Sequence, residues 1–188
     1  FDNHYYGIAY AVGTTFYAVR KDMLKDKGLQ NPTSWQDYLK VAEQLTIDND
    51  GDGIIDVHGV ALPGDPFFID QLAAELVASN GGRLVDANGK PNCTSDPVLE
   101  MLEFWKELSG FAPPSWTSTS YLEQFQSFAA GTVAMVPVCY ARALKNIEND
   151  AKQIIADSTH FGFITQPSGP SGTQGYATMD CENWSVLK

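Results

Sequence analysis

The chain has 188 residues, 44% of them apolar and 19% charged, which is long enough to bury a core and typical of a globular domain. Its formal net charge of −11 argues against nucleic acid as a partner, because such binding needs clustered Lys and Arg side chains. The acidic balance also disfavours anionic membrane surfaces, and no apolar run approaches the roughly 20 residues that span a bilayer.

The first elements alternate between strand-like and helix-like segments, which indicates an α/β fold. Residues 8–19 are rich in β-branched and aromatic side chains, and Gly13 predicts two strands separated by a bend. Residues 33–36 have the form of a capping box, in which a Thr is the N-cap and a Gln reaches back to its amide. Apolar spacing predicts a helix over 34–46, and a short strand is expected at 57–62.

The middle of the chain predicts two further helices. Asp65 is the expected N-cap of a helix over 66–80, because a proline follows it at the first helical position, where a missing N–H costs nothing. A pair of glycines ends that helix. Ser95 is expected to cap a helix over 96–109, whose apolar residues share one face.

The last third begins with a second capping box, formed by Ser120 and Glu123, which predicts a helix over 120–130. An apolar strand is expected at 132–140. The remaining predicted elements are a helix over 142–155, a strand over 161–165, a Pro/Gly/Ser loop over 166–175 and a strand beginning at 184–188.

The sharpest local signal is the acidic segment 48–56, whose carboxylate spacing matches positions 1, 3, 5 and 9 of an EF-hand calcium loop. The candidate ligands are Asp48, Asp50, Asp52, the Ile54 carbonyl and Asp56. Gly59 stands where the loop would carry its bidentate Glu, and the following segment is a predicted strand. Two interpretations stay open: a structural Ca²⁺ site, and a surface turn held by Asx hydrogen bonds.

Motifs of enzymes are mostly missing from the sequence. It contains no GxSxG, Walker A or GxGxxG pattern, and its three histidines lack HExxH spacing. The sequence therefore predicts a non-catalytic protein that requires no cofactor.

Aromatic rings beside polar or turn residues are the candidate ligand contacts, because a sugar presents an apolar C–H face to a ring and hydroxyls to polar groups. The residues that meet this description are Trp116, Tyr140 with its neighbour Arg142, Tyr176 and Trp184. The alternative interpretation is that these rings belong to the core.

The order of five segments resembles the family 1 extracellular solute-binding proteins. The matching segments are YAVGTTFYAVRKDMLKDKGLQNPTSWQDYLKVAEQLT (10–46), DNDGDGIIDVHGVALPG (48–64), NGGRLVDANGKP (80–91), FAAGTVAMVPV (128–138) and FGFITQPSGPSG (161–172). The resemblance implies one lobe of a two-lobed, hinged periplasmic-binding-protein fold of type II, with a mixed sheet flanked by helices.

The same resemblance implies a division of the chain. Residues 1–18 would form the hinge crossing strand region, 19–160 the ligand-binding lobe, and 161–188 the return segment toward a first lobe. Because the chain opens at Phe1 and stops inside a predicted strand, we expect it to be part of a longer protein.

Positions of the family's ligand contacts carry over to specific residues of this chain. Tyr140 would be the stacking platform and Arg142 a hydroxyl or carboxylate partner, although many members have Trp where this chain has Tyr140. The remaining implied contacts are Thr14 near the hinge, Asp65 and Phe67 in one loop, Trp116 in another, and Tyr176 and Trp184 on the return segment.

The function that the resemblance implies is carbohydrate binding for an ABC importer. A membrane permease would be the partner, and the protein would be monomeric and extracytoplasmic, either periplasmic or lipid-anchored. The alternatives are a receptor of the same fold for a polyol, organic acid or peptide-like solute, a carbohydrate-active enzyme with two catalytic carboxylates, and a calcium-stabilised adhesion or scaffold module.

Overall fold

The structure, a computed structural model, describes residues 6–140 and 159–184. The helix expected over 142–155 lies outside the described residues. So does the predicted strand at 184–188, except for its first residue. The described residues contain no helix long and apolar enough to cross a membrane.

One long strand organises the sheet. The strands are β1 (Ile8–Arg20), β2 (Met135–Tyr140), β3 (Phe161–Ile164) and β4 (Met179–Trp184). β1 pairs antiparallel with each of the other three. Its residues 8–14 pair with β4, whereas residues 15–20 lie between β2 and β3.

The bend expected at Gly13 is wrong, because β1 is continuous through that residue. What changes there is the partner strand. A side chain at Gly13 would meet the Tyr140 ring, since a Cβ would lie 3.3 Å from its Cδ1 atom. The glycine therefore allows a close approach, and pairing on both sides of it keeps the strand continuous.

Helices cover the sheet. They are α1 (Lys21–Asp26), α2 (Trp35–Gln44), α3 (Pro66–Ser79), α4 (Asp96–Ser109) and α5 (Tyr121–Ala129), with a short 3₁₀ turn at Trp116–Ser118. The four helices predicted over 34–46, 66–80, 96–109 and 120–130 are confirmed to within about one turn. The short helix α1 and the 3₁₀ turn were not predicted.

Helix starts agree with the sequence in part. Ser120 and Glu123 form the expected capping box of α5. The box of α2 uses Ser34 and Asp37, one residue beyond the predicted pair. Ser95 is the N-cap residue of α4, but its hydroxyl donates to the Asn92 carbonyl, 3.1 Å away, and makes no capping bond.

The prediction of a strand at 57–62 is wrong, because this segment makes isolated bridges and no regular strand. His58 makes a parallel bridge with Val133, and the Ala61 amide donates to the Met135 carbonyl at 2.8 Å. Between them, the Val60 amide turns away to the Phe111 carbonyl. The segment therefore runs beside β2 without forming a continuous ladder, and it contributes the parallel contact of the mixed sheet.

The core lies between the sheet and α2–α5 in two clusters. The larger one includes Tyr17, Val19, Trp35, Tyr38, Leu62, Leu72 and Met135, and the smaller one is centred on Phe125, Phe128 and Val136. The buried part of β1 begins at Thr15, while residues 8–12 are exposed. The end of β2 and the start of α3 meet at this boundary.

Candidate functional site

Helix α3 carries a polar stripe on its inner face. Gln71, Glu75 and Ser79 are four residues apart, so their side chains lie on the same side of the helix. Together they contact the end of β2, the middle of β1 and the segment 176–178 that leads into β4. We refer to these three residues as the α3 clamp.

Tyr140, the predicted stacking platform, lies at the first position of this stripe. Its hydroxyl oxygen accepts a hydrogen bond from Gln71 Nε2 at 2.5 Å. Its ring makes edge contacts with Phe68 and Tyr121, each with centroids 6.3 Å apart. Only 6% of Tyr140 is exposed, so most of the ring packs against protein.

Glu75 lies one turn further along α3 and is 3% exposed. Its Oε1 accepts from the Thr15 hydroxyl at 2.5 Å and from the Thr178 amide at 2.9 Å. Burial raises the pKa of nearby Tyr17 well above its usual value, and Tyr38 and Glu75 raise it further. The tyrosine therefore stays neutral beside the carboxylate.

Ser79 occupies the last turn of α3. Its hydroxyl oxygen accepts from the Tyr176 amide at 2.8 Å, and its carbonyl accepts from the Gly169 amide at 3.0 Å. Tyr176 is thereby held against α3 through its backbone, while its side chain remains partly exposed.

Two loops meet beside the start of α3. The amides of Gly64 and Asp65 donate to the Thr119 carbonyl at 3.1 and 3.3 Å. A Cβ at Gly64 would overlap the Trp116 carbonyl oxygen, so a glycine is required for this approach. The Asp65 carbonyl lies just before α3 and accepts hydrogen bonds from the Phe68 and Ile69 amides in its first turn. The structure therefore brings Asp65, Trp116 and Tyr140 to one end of α3.

Phe68, in the first turn of α3, is buried. It stacks on Tyr121 with centroids 3.9 Å apart and an interplanar angle of 12°, and Tyr121 in turn contacts Phe125. The side chain of Phe67 and all of Arg142 lie outside the described residues. The candidate site is thus an aromatic group rimmed by polar loops.

Other predicted contacts lie elsewhere. Trp184 is 71% exposed. Its ring contacts the ring of Tyr10, with centroids 5.4 Å apart. Thr14 pairs with Met179, one residue before the point where β1 enters the core. Both lie on the two-stranded ribbon formed by residues 8–14 and β4, which we call the exposed ribbon.

The acidic loop brings three of its predicted ligands together. Oxygens of Asp48, Asp50 and Asp56 lie within 4.8 Å of one another. Asp52 instead accepts from the Ile54 amide at 2.7 Å. A Cβ at Gly59, the position of the missing Glu, would overlap the Ala42 carbonyl oxygen, so no side chain fits there.

Backbone amides of the loop itself donate hydrogen bonds to several of its carboxylate oxygens. Asp48 accepts from the Gly51 and Gly53 amides at 2.7 and 2.9 Å, and Asp56 accepts from the Asn49 amide. Hydrogen bonds from Gly53 and Gly51 hold the pKa of Asp48 below its usual value. The Asx-turn interpretation thus describes the loop's own bonding, and the three clustered carboxylates still fit a cation.

Comparison with known proteins decides the family. Residues 1–180 match the family of bacterial extracellular solute-binding proteins. This chain belongs to that family. Its members bind solutes and are extracellular, which confirms the extracytoplasmic location expected from the sequence.

Individual relatives agree with the assignment. The ABC transporter periplasmic-binding protein YcjN of Escherichia coli K12 is 28% identical over 169 residues, which are 89% of this chain and 36% of YcjN. The chain therefore spans about a third of the length of that relative.

Solved structures confirm the predicted fold class, an α/β lobe of a two-lobed binding protein. A solute-binding protein of Agrobacterium radiobacter K84 in complex with ribitol has a TM-score of 0.78 at 22% identity, covering 96% of this chain and 45% of that one. One from Agrobacterium vitis S4 with D-mannitol has 0.78 at 21%, covering 99% and 44%. Maltose-bound MalE3 of T. maritima has 0.75 at 22%, covering 92% and 43%.

The α3 clamp was missed by sequence reasoning. The sequence predicted a helix over 66–80 but assigned no role to its polar residues. The available signal was the spacing of Gln71, Glu75 and Ser79, which repeats every four residues next to the apolar Leu72 and Leu76.

Proposed function

We propose that the protein is the solute-binding component of an ABC importer and that its solute is a carbohydrate or a related polyol. The observation that supports this most directly is the aromatic group of Phe68, Tyr121 and Tyr140 beside the loops of Asp65 and Trp116. Rings cover the C–H face of a sugar, and a carboxylate accepts the strong directional hydrogen bonds that hydroxyls donate. The similar structures with ribitol, D-mannitol and maltose favour the same ligand class.

The proposal includes a division of the chain at the hinge, with residues 1–18 crossing between lobes, 19–160 forming the ligand-binding lobe and 161–188 returning. The exposed ribbon supports it, because a two-stranded ribbon alone is at best marginally stable in water. Its large apolar side chains are exposed in the described residues: Ile8, Tyr10, Val12, Met179 and Trp184. A first lobe beyond this chain would cover them, and Thr14, Tyr176 and Trp184 would then face the cleft.

We further propose binding without turnover and delivery of the unchanged solute to a membrane permease, from a monomer in the periplasm or on a lipid anchor. Arg142 and Phe67 complete the proposed contacts by family position. An enzyme would convert its ligand during incubation. Chromatography of a sugar recovered from the saturated protein therefore distinguishes the two classes, and a changed sugar would contradict the proposal.

A panel of thermal melts on the full-length protein tests the ligand class. Ribitol, D-mannitol and maltose are compared with an organic acid and a dipeptide. A ligand at one hundred times its Kd stabilises the folded state by about 2.7 kcal/mol, so the melting temperature rises clearly for the true class. Trp116→Ala and Asp65→Asn should weaken binding, whereas Leu102→Ala, on the exposed face of α4, should not. No shift with any sugar or polyol would contradict the proposal.

The acidic loop is proposed as a weak structural Ca²⁺ site, with Asp48, Asp50 and Asp56 as carboxylate ligands and Asp52 and the Ile54 carbonyl completing the shell. The ion would cross-link the loop between α2 and the 57–62 segment. Affinity is expected near the millimolar range of weak extracellular sites, because no Glu supplies the bidentate ligand.

Calorimetry with Ca²⁺ on metal-stripped protein tests this proposal. Asp50→Asn should abolish the heat of binding. Asp86→Asn is the matched control, because Asp86 also accepts hydrogen bonds from backbone amides in a surface turn but belongs to no cluster of carboxylates among the described residues. An absence of heat up to millimolar Ca²⁺ would leave the loop as an Asx turn.

A further inference from the structure

The α3 clamp binds both segments that lead to the exposed ribbon. Glu75 Oε1 accepts from the Thr15 hydroxyl of β1 and from the Thr178 amide, which directly precedes β4. The Thr178 amide also lies 3.2 Å from Thr15 Oγ1. One carboxylate oxygen therefore joins a helix to two segments that are 163 residues apart in sequence.

The environment of Glu75 is unfavourable for a purely structural carboxylate. The residue is 3% exposed, and its Oε2 has no hydrogen-bond partner among the described residues. A buried carboxylate with an unmet oxygen is destabilising, and an apolar side chain of similar size would pack in its place. An apolar side chain, however, could not accept hydrogen bonds from the Thr15 hydroxyl and the Thr178 amide.

The clamp coincides with a change in burial along β1. Thr15, Tyr17 and Val19 are buried on one side of it, while Ile8 and Val12 are exposed on the other. The strand pairing changes at the same point, from β4 to β2 and β3. The buried part of β1 therefore ends at the residues that Glu75 binds.

We infer that Glu75 is a positioning residue that fixes both crossing segments to α3, so that lobe closure bends the exposed ribbon and leaves the joint at Thr15 and Thr178 unchanged. Ser79 supports the same joint, because it binds the Tyr176 amide two residues before Thr178. This inference rests on the proposed two-lobed binding function. It adds the residue at which the moving segment begins.

Amide hydrogen exchange on the full-length protein, without any sugar, tests the clamp itself. Glu75→Met keeps the side-chain length and removes the acceptor, so exchange at amide 178 should rise about tenfold or more. Glu75→Gln keeps one acceptor oxygen and should restore most of the protection. Leu76→Ala is the matched control, because it weakens α3 packing at a residue that is equally buried but makes no clamp contact.

Three outcomes would overturn the inference. It fails if Glu75→Met leaves amide 178 protected, if Glu75→Gln exchanges as fast as Glu75→Met, or if exchange rises equally at core amides such as that of Leu45. Should Glu75→Met not fold, Thr15→Val gives the same readout, because it removes the hydroxyl that contacts both Glu75 and the Thr178 amide.

A second arm uses the wild-type protein with and without a stabilising sugar from the melting panel. Protection at amides 15 and 178 should stay within about twofold, while amides of residues 9–13 change by more than that. A change at amide 178 as large as in the ribbon would place the bend inside the joint and contradict the inference. If no sugar binds, the binding function fails, and the sugar-free variants still decide the role of Glu75.

Discussion

Tyr140 and Trp184 were chosen by the same reasoning, yet they lie in opposite environments. Tyr140 is largely buried, with Gly13 against its ring and Gln71 on its hydroxyl. Trp184 is mostly exposed on the ribbon. The sequence places both rings beside polar residues, but it does not reveal which segment packs over each one.

This difference gives a prediction for the two truncations. Tyr140→Ala should lower the free energy of unfolding by roughly 3 kcal/mol or more, because it opens a cavity in a packed aromatic group. Trp184→Ala should cost less than about 1 kcal/mol in this chain, because little of the ring is buried. Urea denaturation of both variants is the measurement. Equal losses would mean that the ribbon is covered by residues outside the described part.

At the scale of elements, capping chemistry allowed the helices to be predicted. Apolar spacing and the Ser/Thr-to-acid pattern place a helix start to within a residue or two. Strands were harder. β4 has no strongly apolar face, and the exposed ribbon has no buried side to impose alternation, so the predicted strand was placed at 184–188 rather than at Met179–Trp184.

The helix starts offer a matched comparison. Ser34→Ala and Ser120→Ala remove hydroxyls that accept from the N3 amides of α2 and α5, so each should cost about 1 kcal/mol of stability. Ser95→Ala should cost clearly less, because that hydroxyl makes no capping bond. Thermal or urea denaturation of the three variants checks the order. A Ser95 loss as large as the other two would contradict it.

The capping box of α2 also predicts a pH effect. Hydrogen bonds from Ser34 and Thr33 outweigh a small burial effect and hold the pKa of Asp37 below its usual 3.8. Because the folded-state pKa is lowered, the box stabilises the protein above about pH 4 and loses this contribution as the pH falls through the folded pKa.

Carboxyl NMR titration measures this directly. In Ser34→Ala, the pKa of Asp37 should rise toward its usual value. The pKa of Asp86, which the Lys90 and Asn88 amides lower, should not change. An unchanged Asp37 titration would mean that Thr33 and the Ser34 amide maintain the low pKa without the Ser34 hydroxyl.

At the scale of the whole molecule, the fold class could be predicted because five motifs follow one another in the order that the family shows. The family resemblance, rather than the residues alone, implied the grouping of Asp65, Trp116 and Tyr140. The α3 clamp could not be predicted. Its partners, Thr15 and Thr178, are far from α3 in sequence, and only the folded chain brings them together.

The exposed ribbon makes a prediction for this chain on its own. Contiguous exposed apolar side chains mark interaction surfaces or aggregation sites. The 188-residue chain should therefore bind a hydrophobic dye and self-associate more than the full-length protein. Replacing Trp184 and Ile8 by Ser should reduce both effects, and light scattering with dye fluorescence measures them. If the isolated chain stays monomeric and does not increase the fluorescence of the dye, the ribbon is covered without a first lobe.

The Pro/Gly/Ser loop at 166–175 has the composition of a flexible linker, but Gly169 and Gly172 are packed against the end of α3 and the residue after it. A Cβ at Gly172 would overlap the Ser79 carbonyl oxygen, and the Ser171 amide donates to Asn80 Oδ1 at 2.8 Å. By contrast, Gly89 lies in an exposed hairpin turn with no neighbouring atom within 4 Å of a Cβ. Proteases cut where several residues can leave the surface together. Digestion of the native protein should therefore cleave the 86–90 turn and leave the segment 166–175 intact, although the composition of that segment suggests a flexible, easily cleaved loop.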